Sequence, residues 1–268
     1  MARKIAFIGV GNMANAIIKG ITSAGHTSYQ DLILYDVYPE KCTLYANQGA
    51  TIASSEITAA TMADCIVLAV KPQNFPELLP QLAKVEHIQS KLIVTIAAGI
   101  TVDTVSQALH GAPVVRVLPN TPMLIGMGVS VICQSDVVSA EDFSFVSAMF
   151  QASGSVVYIH ESEMNRMISV TSSSPAYVFG FIKAICDGAE AQGLPSDSLL
   201  PAVCDMVIGA ATLLKQGGMT PDQQIRMVTS KGGTTERAMA ELAASDMEGM
   251  IERAMKACTA RADELSGQ

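Results

Sequence analysis

Residues 4–14, KIAFIGVGNMA, decide the fold. Ile5, Ala6, Phe7, Ile8 and Val10 make an apolar run of strand length with no polar alternation, the pattern of a strand buried in a parallel sheet. Gly9, Gly11 and Ala14 then follow at G-x-G-x-x-[GA] spacing, and Ala16, Ile17, Ile18 and Ile21 continue with helical periodicity. Strand, glycine turn and helix in that order form a dinucleotide cradle. Gly9 permits a tight turn, Gly11 lets the backbone approach a pyrophosphate with no Cβ in the way, and Ala14 keeps helix and strand close. The N–H groups of the first helical turn face the anion, and the helix dipole favours it. A plain glycine turn satisfies the same spacing, but the strand before it and the helix after it favour dinucleotide binding.

Asp31–Asp36 (DLILYD) reads as the second strand and Glu40–Gln48 as a short helix. Asp36 therefore ends that strand roughly 20 residues past the glycine loop, where a carboxylate accepts the ribose hydroxyls of NAD and repels the extra phosphate of NADP. A loop aspartate capping the helix near Pro39 is the alternative, and Lys41 close by is suited to attract a phosphate. On the first reading, Asp36→Ser shifts preference toward NADPH.

Further apolar runs recur along the chain. Ala50–Ala53 is a short strand and Ile57–Met62 a helix. Asp64–Val70 stops at Lys71, Pro72 and Gln73, Lys91–Ile96 at Ala97, Ala98 and Gly99, and Val114–Leu118 at Pro119, Asn120, Thr121 and Pro122. Alternating strands and helices predict an α/β, doubly wound, mainly parallel sheet with ligands beyond the strand C-termini. Gly128–Cys133 and Ser155–Ile159 read as further strands flanking a helix over Glu141–Gln151.

From about Glu161 helical periodicity takes over, with helices expected over Glu163–Gln192, Ser198–Gln216, Pro221–Met227, Thr235–Ala244 and Met247–Leu265. The division is a Rossmann domain over 1–160 and an all-α domain over 161–268. Pro201–Leu214 is apolar on more than one face, so it needs burial that a small helical domain cannot supply alone. An intertwined helical homodimer is expected.

Composition narrows the partners. With 268 residues and a net charge of −8, and with no basic run, a nucleic-acid partner is not expected. Mean hydropathy is +0.33, yet no uncharged apolar run reaches the roughly 20 residues that span a bilayer. The N-terminal residues enter a strand directly, without a signal-peptide layout, so a cytoplasmic protein is expected. The six cysteines are scattered and form no C-x-x-C pair, which predicts neither metal site nor disulfide scaffold. None of the four histidines suits a ligand or base.

The second informative stretch is residues 228–238, VTSKGGTTERA. Gly232 and Gly233 expose successive backbone N–H groups. Thr234 and Thr235 bring hydroxyls and are expected to N-cap the next helix, and Glu236 suits its first turn. This is an anion nest of carboxylate size; a capped loop without a ligand is the alternative.

Over its whole length the chain resembles the pyrroline-5-carboxylate reductases. The likeness is carried by IGVGNMANAIIKG at 8–20, AVKPQ at 69–73, TIAAGIT at 95–101, VRVLPNTP at 115–122, SSSPAYVFGFIKA at 172–184 and MVTSKGGTTERAM at 227–239. The resemblance implies a Rossmann domain joined to a helical dimerisation domain, with dimers often assembled into rings up to decamers. It implies hydride transfer from NADPH or NADH to the imine carbon of 1-pyrroline-5-carboxylate, giving L-proline. It further implies that Gly9, Gly11, Asn12, Met13 and Ala14 hold the pyrophosphate, and that Ala69, Val70, Lys71, Pro72, Ala97, Ala98, Gly99, Pro119 and Asn120 line the nicotinamide half. The backbone of Gly232, Gly233 and Thr234 would take the substrate carboxylate, and the Thr235 hydroxyl, the catalytic candidate, would bond the ring nitrogen.

Lys231 stands where the family usually has Pro and adds charge beside the nest, either strengthening anion binding or pointing to solvent; Leu118 replaces a usual Met, and Ser172–Ser174 stand where many members carry glycines. A protonated imine is already electrophilic, so positioning can supply most of the catalysis and no acid such as His is required. A 3-hydroxyacid dehydrogenase of similar architecture would need a lysine early in the long helix, whose only lysine is Lys183. A non-catalytic nucleotide sensor would leave residues 231–235 without a task.

Overall fold

The computed structural model describes residues 3–195 and 198–267. Residues 1, 2 and 268, at the ends of the two expected domains, lie outside the described residues. Two compact units emerge, one running to Ser173 and resuming at Cys258, the other covering Ser174–Ala257.

The first unit is an eight-stranded sheet in the order β3-β2-β1-β4-β5-β6-β7-β8. Its strands are β1 (Ile5–Ile8), β2 (Leu32–Tyr35), β3 (Thr51–Ile52), β4 (Cys65–Leu68), β5 (Leu92–Thr95), β6 (Val114–Leu118), β7 (Gly128–Gln134) and β8 (Gly154–Tyr158). All neighbours pair in parallel except β6 and β7. A parallel pair needs a long crossover, and only residues 119–127 join β6 to β7, so this pair is antiparallel.

The helices are α1 (Asn12–Ser23), α2 (Thr43–Ala46), α3 (Glu56–Met62), α4 (Phe75–Leu82), α5 (Val102–Ala108), α6 (Ala140–Gln151) and α7 (Glu161–Met167). Ile5 and Phe7 pack with Ile17, Met149 and Phe150 on one face; Ala6 and Ile8 pack with Leu79, Val105 and Met164 on the other. Covering both faces explains the unbroken apolar strands, and each fully buried Ile or Phe contributes about 1.5–3 kcal/mol.

The expected domain limit near residue 160 and the observed division differ for a physical reason. Met164 and Ile168 are buried in the sheet unit's core, as is Ala262 near the chain's end. Asn165 Nδ2 also donates to Asp263 Oδ1 and Ser266 Oγ, both at 2.9 Å. The helix expected over Glu163–Gln192 is interrupted: after α7, Ile168–Ser172 forms a π-helical turn closed by Ser173 N–H to the Ile168 carbonyl at 2.8 Å, and α8 (Ser174–Ala191) follows.

The second unit contains α8, α9 (Leu199–Gly217), α10 (Pro221–Val228), α11 (Thr234–Ala244) and the start of α12 (Met247–Ser266). Within it, α8 packs on α9. Only Val203 of α9 is buried, while Leu200, Met206, Ile208, Leu213 and Leu214 are exposed. By length and composition α9 is long and apolar enough to cross a membrane, with a mean hydropathy of 1.4, although it carries Asp205 and Lys215 and so is not an uncharged apolar run.

Candidate functional site

The parallel register builds the first site. Ile8 pairs with both Tyr35 and Leu68, so Gly9, Asp36 and Ala69 emerge side by side at the sheet's C-terminal edge. The glycine loop is pinned from both neighbours: Gly9 N–H donates to the Tyr35 carbonyl at 2.8 Å and Ala69 N–H to the Ile8 carbonyl at 2.9 Å.

Gly9 has φ +93°, and a Cβ there would lie 2.7 Å from the Ala69 carbonyl oxygen. Gly11 is the N-cap of α1, and a Cβ there would meet no atom within 4 Å. No side chain caps α1 and no acid sits in its first turn. The first-turn N–H groups thus face a cradle that suits a pyrophosphate. Ala14 is buried, as close helix–strand packing requires.

The cleft above this loop has a volume of ≈ 450 Å³. It brings together Gly9, Gly11, Asp36, Ala69, Val70 and Lys71 of the residues expected from sequence, and Lys41 with them. Asn12, Met13, Ala14, Pro72, Ala97, Ala98, Gly99, Pro119 and Asn120 do not line it. Two of these have visible structural tasks. Gly99, at φ +77°, sits so close to the C-terminal helix that a Cβ would come within 2.9 Å of the Leu265 Cβ. Asn120 Nδ2 donates to the Thr171 carbonyl at 3.0 Å, and its Oδ1 accepts from Val129 N–H at 2.8 Å. Tyr38 and Asn74 line the cleft and went unnoticed in the sequence. Lys41 Nζ lies 4.6 Å from the Tyr38 ring centre, a contact whose only sequence signal is an aromatic residue just after the second strand.

Asp36, expected either to accept ribose hydroxyls or to cap the helix near Pro39, lines the cleft and is bonded within the protein. Its Oδ2 accepts the Val10 N–H at 2.8 Å and its Oδ1 the Tyr38 N–H at 2.9 Å, while Lys41 Nζ lies 3.1 Å from Oδ1. The carboxylate is the tie that holds the middle of the glycine loop. Burial pushes its pKa up, but the two backbone donors and Lys41 outweigh that and hold it below the usual value. Its stabilising contribution is present above the ordinary carboxylate range and is lost as pH falls through the lowered value. Asp36→Asn turns an amide N–H₂ toward a backbone N–H, which costs about 1–3 kcal/mol. Both NADH and NADPH are then expected to bind roughly 10–100-fold more weakly. Fluorescence titration with each cofactor checks this, and a change in preference alone would restore the ribose-acceptor reading.

The second site belongs to the other unit. Gly232 has φ +76° and Gly233 is the N-cap of α11. Thr234 and Thr235 therefore do not cap the helix, as sequence suggested; they are its first two residues, and no side chain caps it. The reason is register: Gly233 N–H bonds the Ser230 carbonyl at 3.0 Å, which closes the turn one residue earlier. Thr235 is half-buried, Lys231 and Thr234 are exposed, and Glu236 Oε2 accepts the Gly232 N–H at 2.8 Å.

The cysteines offer no reactive centre among Cys42, Cys65 and Cys133, which are buried; burial pushes the Cys65 and Cys133 thiols up to about 12. Lys183 is exposed and paired with Asp187 four residues on, as a surface helix lysine would be.

Residues 161–265 match the family model for pyrroline-5-carboxylate reductase dimerisation, and residues 4–99 that for NADP oxidoreductase, coenzyme F420-dependent. The chain is 34% identical over 268 residues to the pyrroline-5-carboxylate reductase of Escherichia coli, covering 99% of each. The chain belongs to the pyrroline-5-carboxylate reductase family. It is also 33% identical over 265 residues to the reductase of Methanosarcina acetivorans, covering 98% of each. Among solved structures, Plasmodium falciparum pyrroline carboxylate reductase with NADP bound superimposes with a TM-score of 0.90 at 25% identity, covering 98% of each chain. The family's Coxiella burnetii member gives a TM-score of 0.90 at 27% identity, covering 99% of each chain.

Proposed function

We propose that this chain reduces 1-pyrroline-5-carboxylate to L-proline and prefers NADPH as the reductant. The chain is an NAD(P)H-dependent oxidoreductase, and its full-length likeness to reductases named for this substrate carries the reading. The nicotinamide cofactor supplies the hydride that saturates the C=N bond. The protein's own residues do the rest. The Gly9–Ala14 turn binds the pyrophosphate, Ala69, Val70 and Lys71 bound the cleft beside it, and Pro72, Ala97, Ala98, Gly99, Pro119 and Asn120 shape the sheet edge around the nicotinamide. The backbone N–H groups of Gly232 and Thr234 take the substrate carboxylate, while the Gly233 N–H, held by the Ser230 carbonyl at 3.0 Å, shapes the turn and Lys231 adds positive charge. The Thr235 hydroxyl orients the protonated ring nitrogen, so that geometry rather than acid catalysis lowers the barrier.

The preference for NADPH rests on Lys41. The Asp36 charge is met by two backbone N–H groups and by Lys41, and the Lys41 ammonium stands on the cleft wall beside Tyr38. A 2′-phosphate at that wall gains a charge-assisted contact. Lys41→Ala is expected to raise the KM for NADPH about tenfold, the equivalent of about 1.4 kcal/mol, with the KM for NADH changed less than twofold. Substrate-dependent absorbance loss of each cofactor measures this. Equal effects on both would remove the phosphate role, and no oxidation of either by the parent protein would remove the reductase.

The dimerisation-domain match makes the chain a homo-oligomer. The apolar face of α9 is then covered by a second subunit rather than by lipid, in a cytoplasmic enzyme with no nucleic-acid partner.

A further inference from the structure

We propose that Glu236 is a built-in competitor for the substrate carboxylate, seated on the Gly232 N–H until substrate displaces it. This rests on the reading of residues 231–235 as the carboxylate site. The comparison with α10 shows that the contact is not an ordinary helix cap. There Gln223, the third helical residue, bonds the N–H of Thr220, its own N-cap, at 2.8 Å, and Thr220 Oγ1 accepts the Gln223 N–H in return. In α11 the N-cap N–H of Gly233 is already taken by the Ser230 carbonyl at 3.0 Å. Glu236, also the third helical residue, reaches one residue further back, to Gly232 N–H at 2.8 Å. Gly232 is left-handed at φ +76°, and nothing lies within 4 Å of where its Cβ would be, so this donor is presented on an open loop. The group on it is a carboxylate, the same chemical group the substrate brings. Two anions cannot share one N–H, so binding must include release of Glu236.

The test uses the full-length oligomer. Glu236→Gln is expected to lower the KM for 1-pyrroline-5-carboxylate three- to tenfold with kcat within twofold, and Glu236→Ala to lower it further. The Kd for L-proline, measured by calorimetry with oxidised cofactor present, should fall by the same factor. An unchanged KM, or a raised one as expected if Glu236 instead preorganises the loop, overturns the proposal. Gly233→Ala separates this from the site reading, because its Cβ would come within 2.6 Å of Ser230 Oγ and 2.9 Å of the Ser230 carbonyl oxygen. If that variant raises KM while Glu236→Gln fails to lower it, only the competitor role fails. If Gly233→Ala also leaves KM unchanged, the carboxylate site lies elsewhere.

Discussion

Gly9→Ala is expected to abolish binding of NADH and NADPH alike and to destabilise the protein by about 2–5 kcal/mol, from a left-handed backbone forced on alanine together with overpacking. At φ +93° the added Cβ would lie 2.7 Å from the Ala69 carbonyl oxygen and 2.9 Å from its carbon, both backbone atoms. The strand edge cannot yield cheaply, because Gly9 N–H to Tyr35 and Ala69 N–H to Ile8 fasten the turn to both neighbouring strands. Gly11→Ala is the matched control. Its Cβ meets no atom of the protein within 4 Å, so this variant should melt like the parent and lose affinity only because the methyl enters the cradle. Thermal melts with and without cofactor, followed by titration, read both effects. A Gly9→Ala protein that melts and binds like the parent would show that the turn is not the cradle's foundation.

Thr235→Ala is expected to lower kcat roughly 10–100-fold, the loss of one hydrogen bond to a charged group at about 1.5–3 kcal/mol, while the Kd for NADPH stays within twofold. Thr235 is the second residue of α11, and its hydroxyl takes no part in capping that helix. Removing its hydroxyl therefore leaves the fold's own bonds intact and isolates the bond assigned to the ring nitrogen. Thr235→Ser, which keeps the hydroxyl, should recover most of the rate. Collapse of cofactor binding in Thr235→Ala, or turnover like the parent's, would contradict that assignment.

How far the sequence could be read depended on whether a signal was local. The run Ile5–Ile8 followed by Gly9 and Gly11 announced strand, turn and helix because each residue's constraint is met within a few positions. Val114–Leu118 was legible to the residue because both ends are punctuated. Asp36 was legible as a residue at the right place but not in its task. Tyr38 is a local partner two residues on, but Val10 becomes a neighbour only through the register of β1 against β2, which apolar periodicity does not encode. Gly99 is a similar case, since Leu265, whose Cβ stands closest to where a side chain would begin, comes from the far end of the chain. The division of the chain was blurred because α7 is helical in pattern yet buries Met164 in the sheet unit's core. At α11, two consecutive threonines suggested caps, and a turn closed by Ser230 and Gly233 displaced them by one residue.

Direct reduction of a cyclic imine carbon leaves its mark in isotope transfer. Purified protein is given NADPH carrying two deuterium atoms at the nicotinamide C4 together with 1-pyrroline-5-carboxylate, and the proline formed is analysed by mass spectrometry and NMR. One deuterium per proline is expected, located at the ring carbon of the former C=N bond. Unlabelled proline, label at another carbon, or no proline at all would contradict it.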